Sequence, residues 1–242
     1  HALPPEVDLT PTNPSFTAMV SMRDNVKLYT EVFVPNGEGS YPVILHRSPY
    51  PMFRPSRHDP WPLARYIDAG YVFVFQNTRG QYLSEGEFEF HRLDVDDGYD
   101  CINWITEQGW CNGCVGMEGS SYAGSTQLYA AKANHPALKC IMPTAFGGSP
   151  TTGFPFTNGV PVRAMFLQWL LVADTESMAD LEFIYGDMQI AANDKWGGAF
   201  RRRPLINAAD GILSGDKLKS WKSVISHPMD GDYWQDVSFK DS

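Results

Sequence analysis

The run Gly119-Ser120-Ser121-Tyr122-Ala123-Gly124 holds the residue types that a serine nucleophile needs. It follows the apolar stretch Val115-Gly116-Met117, and a helix is predicted after it over Ala123–Asn134. A buried strand, a tight turn with a serine at its tip and a helix lift a hydroxyl clear of a sheet. Strand and helix close on each other there, so the flanking residues must be small. Gly119, Ala123 and Gly124 meet that demand. Ser121 would also stand at a helix N-terminus, where open N–H groups and the helix dipole favour a developing oxyanion. The N–H of Tyr122 is the natural first donor. Ser120 fits less well, because Glu118 would then fill a position that needs a small residue. The pattern itself is short, and a purely structural turn is the alternative reading.

A second segment bears on the same chemistry. The apolar run Pro42–Leu45 leads into His46-Arg47-Ser48-Pro49-Tyr50. In a parallel sheet this loop lies at the same edge as the serine turn, and a tyrosine there can give its O–H to an oxyanion. A buried loop aromatic is the plainer reading of Tyr50.

The elements that must position these residues read as α/β. Phe16–Met22 and Lys27–Val34 alternate apolar and polar residues around the turn Arg23-Asp24-Asn25, as a half-buried hairpin does. Pro42–Leu45 and Tyr71–Phe75 are continuous apolar runs, the mark of strands buried on both faces, with a helix predicted over Pro60–Ala69 between them. Asp94–Gln108 has helical spacing and an acidic start. Leu138–Pro143 reads as a further buried strand. Beyond Gly147 the chain turns Gly-, Pro- and Phe-rich, then helical over Arg163–Ala173, Met178–Ile190 and Leu218–Ile225. The expected organisation is an α/β core over residues 1–147 and a helical cap over 148–242.

Composition excludes several classes. A formal net charge of −9 over 242 residues is wrong for a nucleic-acid surface, and Arg201-Arg202-Arg203 before Pro204 reads as a solvated or salt-bridged turn. No apolar run approaches the roughly 20 residues of a membrane span, and no signal peptide is visible, so a cytoplasmic setting is favoured. Cys111-x-x-Cys114 lacks the second pair a zinc site needs, so Cys101, Cys111, Cys114 and Cys140 are read as small buried or loop residues, with disulfide pairing left open. No cofactor or metal is expected.

Four stretches resemble the CocE/NonD hydrolases, the group of α/β-hydrolases with cocaine esterase, α-amino-acid ester hydrolases and, more distantly, X-Pro dipeptidyl-peptidases. They are Arg47–Tyr50; Thr78-Arg79-Gly80 with Ser84–Phe88; Asp97–Asp100 with Trp104; and Trp110–Gly116 leading into Gly119–Gly124. The likeness runs from about Met22 to Phe239. It implies the N-terminal part of an α/β-hydrolase sheet followed by a helical cap. It implies Ser121 as nucleophile, the Tyr122 N–H and the Tyr50 hydroxyl as oxyanion donors, and Trp169 as a cap aromatic against the acyl group, with a helix-packing residue as the plainer reading of Trp169. Arg79, Glu85 and Asp97 are read as scaffold residues.

A serine hydrolase also needs a base and a group to orient it, which follow the nucleophile in this fold in the order acid, then His. Only His135 and His227 follow Ser121, and neither is placed as a base. The resemblance puts the acid, the His and a jelly-roll β-domain beyond Ser242, so the chain is expected to be incomplete alone: a truncation, or one part of a split enzyme whose remainder is a partner. Its substrate would be a small ester or amide. An X-Pro peptidase, which would need a carboxylate for a free N-terminus, and a non-catalytic hydrolase-like binding module are the alternatives; Asp174, Glu176 and Asp180 in the cap read as solvated residues on polar helix faces. Oligomeric state is left open.

Overall fold

The structure is a computed structural model that describes residues 13–50, 63–146, 148–150, 153–173, 201–228 and 231–238. Its centre is a six-stranded sheet in the order β1-β2-β4-β3-β5-β6. The hairpin β1 (Phe16–Ser21) and β2 (Lys27–Phe33) is antiparallel, and β2 pairs antiparallel with β4 (Val72–Asn77). From β4 onward, β3 (Tyr41–Ser48), β5 (Cys111–Ser120) and β6 (Leu138–Thr144) run parallel.

Side chains alternate faces along a strand, and β4 shows how both faces are covered. Val72 and Val74 join Val43, Leu45, Val115 and Met117 on one face, under α2 (Asp94–Thr106) and α3 (Tyr122–Lys132). Phe73 and Phe75 face the other way, against Leu63 of α1 (Leu63–Asp68). This is why β4 reads as an unbroken apolar run. The predicted strands and helices of the first half therefore form, with shifts of a few residues at their ends; Pro60–Pro62 lie outside the described residues.

One expectation is corrected. β6 is not buried on both faces: Lys139, Cys140, Met142 and Thr144 are exposed, Met142 by 57%. Among the described residues it is the last strand of the sheet, with β5 as its neighbour. Its apolar residues match those of a central strand, but its place in the sheet leaves them open.

Past residue 150 a two-stranded hairpin, β7 (Phe156–Thr157) with β8 (Val160–Pro161), leads into α4 (Arg163–Val172). A further helix, α5 (Gly215–Ser226), and two 3₁₀ turns follow, Leu205–Asn207 and Asp232–Val237. These elements pack Phe156, Phe166, Leu170, Trp221 and Trp234 against Phe88, Phe90, Tyr122 and Tyr129 in one aromatic cluster. The expected helix over Met178–Ile190 lies outside the described residues. Arg202, in the basic run, reaches the carbonyls of Asn207 and Asp210 from an exposed position, as a solvated turn does.

Candidate active site

In open parallel sheets, ligands bind beyond the carboxyl ends of strands whose connections leave in opposite directions. Here β3 connects to β4 on one side and β5 connects to β6 on the other. The crevice between them is therefore where β3 delivers Tyr50 and β5 delivers Ser121.

Ser121 sits between β5 and α3 with φ 60° and ψ −123°, a conformation that L-residues rarely adopt. It is exposed. Its N–H donates to the Thr144 carbonyl (3.0 Å), and its carbonyl accepts from Gly124 (3.0 Å) and Ser125 (3.2 Å). Small neighbours are required here. A Cβ on Gly119, at φ +142°, would lie 2.7 Å from the Ala123 Cβ; one on Gly124 would lie 2.8 Å from the Thr144 carbonyl. Gln127 locks the turn from below: its amide donates to the carbonyls of Gly119 (3.1 Å) and Ala123 (2.9 Å), and its oxygen accepts from the Met142 N–H (2.8 Å). Ser120 ends β5 within the ladder, paired with Thr144.

Tyr122 opens α3, so its N–H has no acceptor within the helix. Its side chain is buried and donates its hydroxyl to Asp94 Oδ2 (2.7 Å). Burial, with Asp94 beside it, raises the Tyr122 phenol well above its ordinary value, so the proton stays on the oxygen. Asp94 also meets His91 Nδ1 (3.2 Å) and the fully buried Arg47 guanidinium (3.5 Å). Burial pushes the Asp94 carboxyl up, but the His91 hydrogen bond, the Arg47 charge and the Tyr122 hydroxyl outweigh it and hold the group below the usual value. His91, at φ +62°, is held below the ordinary imidazole value by its own burial, against the pull of Asp94. Its ring stacks on Tyr122, with centroids 4.2 Å apart.

A cavity of about 190 Å³ opens at this point. Ser121, Tyr122, His91, Phe154, Met165 and Trp169 are among its walls. The Trp169 ring lies parallel to that of Tyr122 (5.5 Å, 3°), and its indole N–H donates to the Tyr50 hydroxyl (2.5 Å). Of the four residues singled out by sequence, Ser121, Tyr122 and Trp169 line one cavity. Tyr50 joins them through its contact with Trp169.

His135 accepts from the Ala137 N–H (3.1 Å) and packs on Tyr99, while His227 lies at the end of α5 with Nδ1 2.7 Å from the Ser223 carbonyl oxygen and stacks on Tyr233. Neither lines the cavity. Arg79 bridges Asp97 (2.6 Å) and Asp24 (2.7 Å), and Glu85 accepts from the Lys27 N–H (3.1 Å), as scaffold residues do. All four cysteines are free thiols. Sequence reasoning missed His91 and Asp94. It sought histidines only downstream of Ser121, and His91 precedes it; the available signal was an acidic helix start three residues after a histidine.

The sheet, its connections and the serine turn define an α/β-hydrolase fold. The family model described as X-Pro dipeptidyl-peptidase (S15 family) matches residues 24–242. The chain belongs to that family, and its resemblance to the CocE/NonD hydrolases stands. It is 36% identical over 235 residues to cocaine esterase from Rhodococcus sp. (strain MB1 Bresler), covering 91% of this chain and 40% of the esterase. An α-amino acid ester hydrolase structure aligns with a TM-score of 0.69 at 24% identity, over 98% of this chain and 41% of that one. A CocE/NonD family hydrolase from Staphylococcus aureus aligns at 0.64 and 23%, over 93% and 37%. The chain thus spans about two fifths of the length of these relatives.

Proposed function

We propose that this chain carries the nucleophile and oxyanion-binding part of a serine hydrolase that cleaves esters or amides of small acyl groups. The carrying observation is Ser121: exposed, at φ 60° on a strand-to-helix turn, in the wall of a cavity. Its Oγ attacks the substrate carbonyl carbon and gives its proton to a histidine base. The carbonyl oxygen becomes an oxyanion and takes hydrogen bonds from the Tyr122 N–H and the Tyr50 O–H. Collapse releases the alcohol or amine with that proton and leaves an acyl group on Ser121, which water then removes. The base and the acid that orients it lie outside this chain, as does a β-domain. The same reading divides the chain into a core over 1–147 and a cap over 148–242, whose Phe154, Met165 and Trp169 face the acyl group.

The cavity walls favour an apolar or aromatic acyl group, because aromatic rings form most of them. A peptidase acting at X-Pro bonds is the second reading, supported by the description of the matching family model. It needs a carboxylate to hold a free N-terminus. No Asp or Glu stands among the described lining residues, and Asp174, Glu176 and Asp180 lie outside the described residues.

Fluorophosphonate labelling of the full-length protein, read by peptide mass spectrometry, should mark Ser121. Ser121→Ala should lower kcat for an aryl ester by at least about 10⁴-fold. A label on another residue, or full activity in the alanine variant, rejects the reading, whereas a full-length protein with neither label nor activity leaves a binding module in its place. A panel of aryl esters against X-Pro amides decides between the two enzyme readings.

A further inference from the structure

Trp169 touches both residues that supply the proposed oxyanion donors, Tyr122 through its side-chain ring and Tyr50 at the donor hydroxyl itself. Its ring lies flat against Tyr122, and its N–H meets the Tyr50 hydroxyl at 2.5 Å. An indole N–H can only donate. The Tyr50 oxygen is therefore the acceptor in this contact, and the phenol proton is directed away from Trp169. A hydroxyl that accepts a hydrogen bond is polarised and becomes a better donor, more so where water is scarce. The rest of Tyr50 is pinned as well: its N–H donates to Ser48 Oγ (3.2 Å), and its carbonyl accepts from Asn77 Nδ2 (2.7 Å). Trp169 is itself held by Phe90 (5.4 Å), Phe154 (6.2 Å) and Phe166 (6.4 Å).

We infer that Trp169 is a positioning residue for catalysis, which aims and polarises the Tyr50 hydroxyl, and not only a wall of the acyl pocket. This rests on the serine-hydrolase reading above. A wall acts on substrate and transition state alike, whereas a group that strengthens an oxyanion donor acts where the negative charge develops. The two roles predict different kinetics.

Trp169→Phe keeps an aromatic wall and removes the N–H. In the full-length enzyme, kcat for p-nitrophenyl benzoate should fall about tenfold, the effect of roughly one hydrogen bond, with KM changed less than about twofold. Affinity for phenylboronic acid, whose serine adduct places a charged oxygen in the oxyanion site, should fall by a similar factor. Affinity for benzoate should hold. In a Tyr50→Phe background, the same change should leave kcat unaltered, since the hydroxyl it serves is gone. Trp169→Met, which also lacks the N–H, takes its place in the cycle if the phenylalanine variant does not fold. A raised KM with unchanged kcat, or an equal loss of kcat with and without the Tyr50 hydroxyl, overturns the inference. Fluorophosphonate labelling of each variant separates the two levels: Ser121 labelled with an additive cycle sinks the inference alone, and Ser121 unlabelled in the wild type sinks the mechanism beneath it.

Discussion

Gly119→Ala tests the turn that presents Ser121 without recourse to any substrate. The residue has φ +142°, where a side chain costs about 1–2 kcal/mol through contact with its own backbone. The new Cβ would also meet the Ala123 Cβ at 2.7 Å, with the Ala123 carbonyl oxygen and His46 Cε1 each at 3.2 Å. The Ala123 atoms belong to the first turn of α3, so relief requires strand and helix to part. Overpacking of this kind costs about 1–3 kcal/mol, which brings the expected loss to about 2–5 kcal/mol. Gly113→Ala is the control: at φ +85° with nothing within 4 Å of its Cβ, it pays the backbone cost alone, about 1–2 kcal/mol. Urea unfolding followed by circular dichroism measures both. The alanine at 119 should also slow labelling of Ser121. Equal losses at the two positions would refute the reasoning, because the space above Gly119 would not then be limiting.

Asp94→Ala should cost about 3–5 kcal/mol in the same assay, since it strips the buried Arg47 of its shorter ion pair and leaves His91 and Tyr122 without their shared partner. His91 supplies a pH signature. Burial lowers its folded-state value, so the unfolded chain takes up a proton first as pH falls. Its contribution to stability is complete above the unfolded value near 6.5 and declines as pH drops from there toward the folded value. His91→Asn, a residue type that tolerates φ +62°, should flatten that part of the curve in urea midpoints measured between about pH 4 and 8.

The parallel sheet was legible because β3, β4 and β5 carry signals that burial on both faces leaves in the sequence. Ser121 was legible because a strained turn demands small residues at fixed offsets, and Gly119 and Ala123 supply them. β6 departs from its reading since Leu138–Pro143 has the residues of a central strand; what it lacks among the described residues is a second neighbour, and a neighbour is not a local property. Asp94 looked like one more acid at a helix start, and only the fold brings His91, Arg47 and Tyr122 to it. The Trp169–Tyr50 hydrogen bond spans 119 positions, and no local pattern reports a contact of that kind.

The open strand β6 has a consequence for handling the molecule. Its outer rail of peptide groups has no pairing strand among the described residues, and Met142 and Cys140 stand exposed beside it. A bare rail of this kind is a template on which another extended chain can crystallise into the sheet, and Lys139 is a single charge set against that. The same parallel packing that carries Ser121 to the lip of the crevice thus makes the chain, when concentrated without a cover on that side, prone to stick to itself edge to edge.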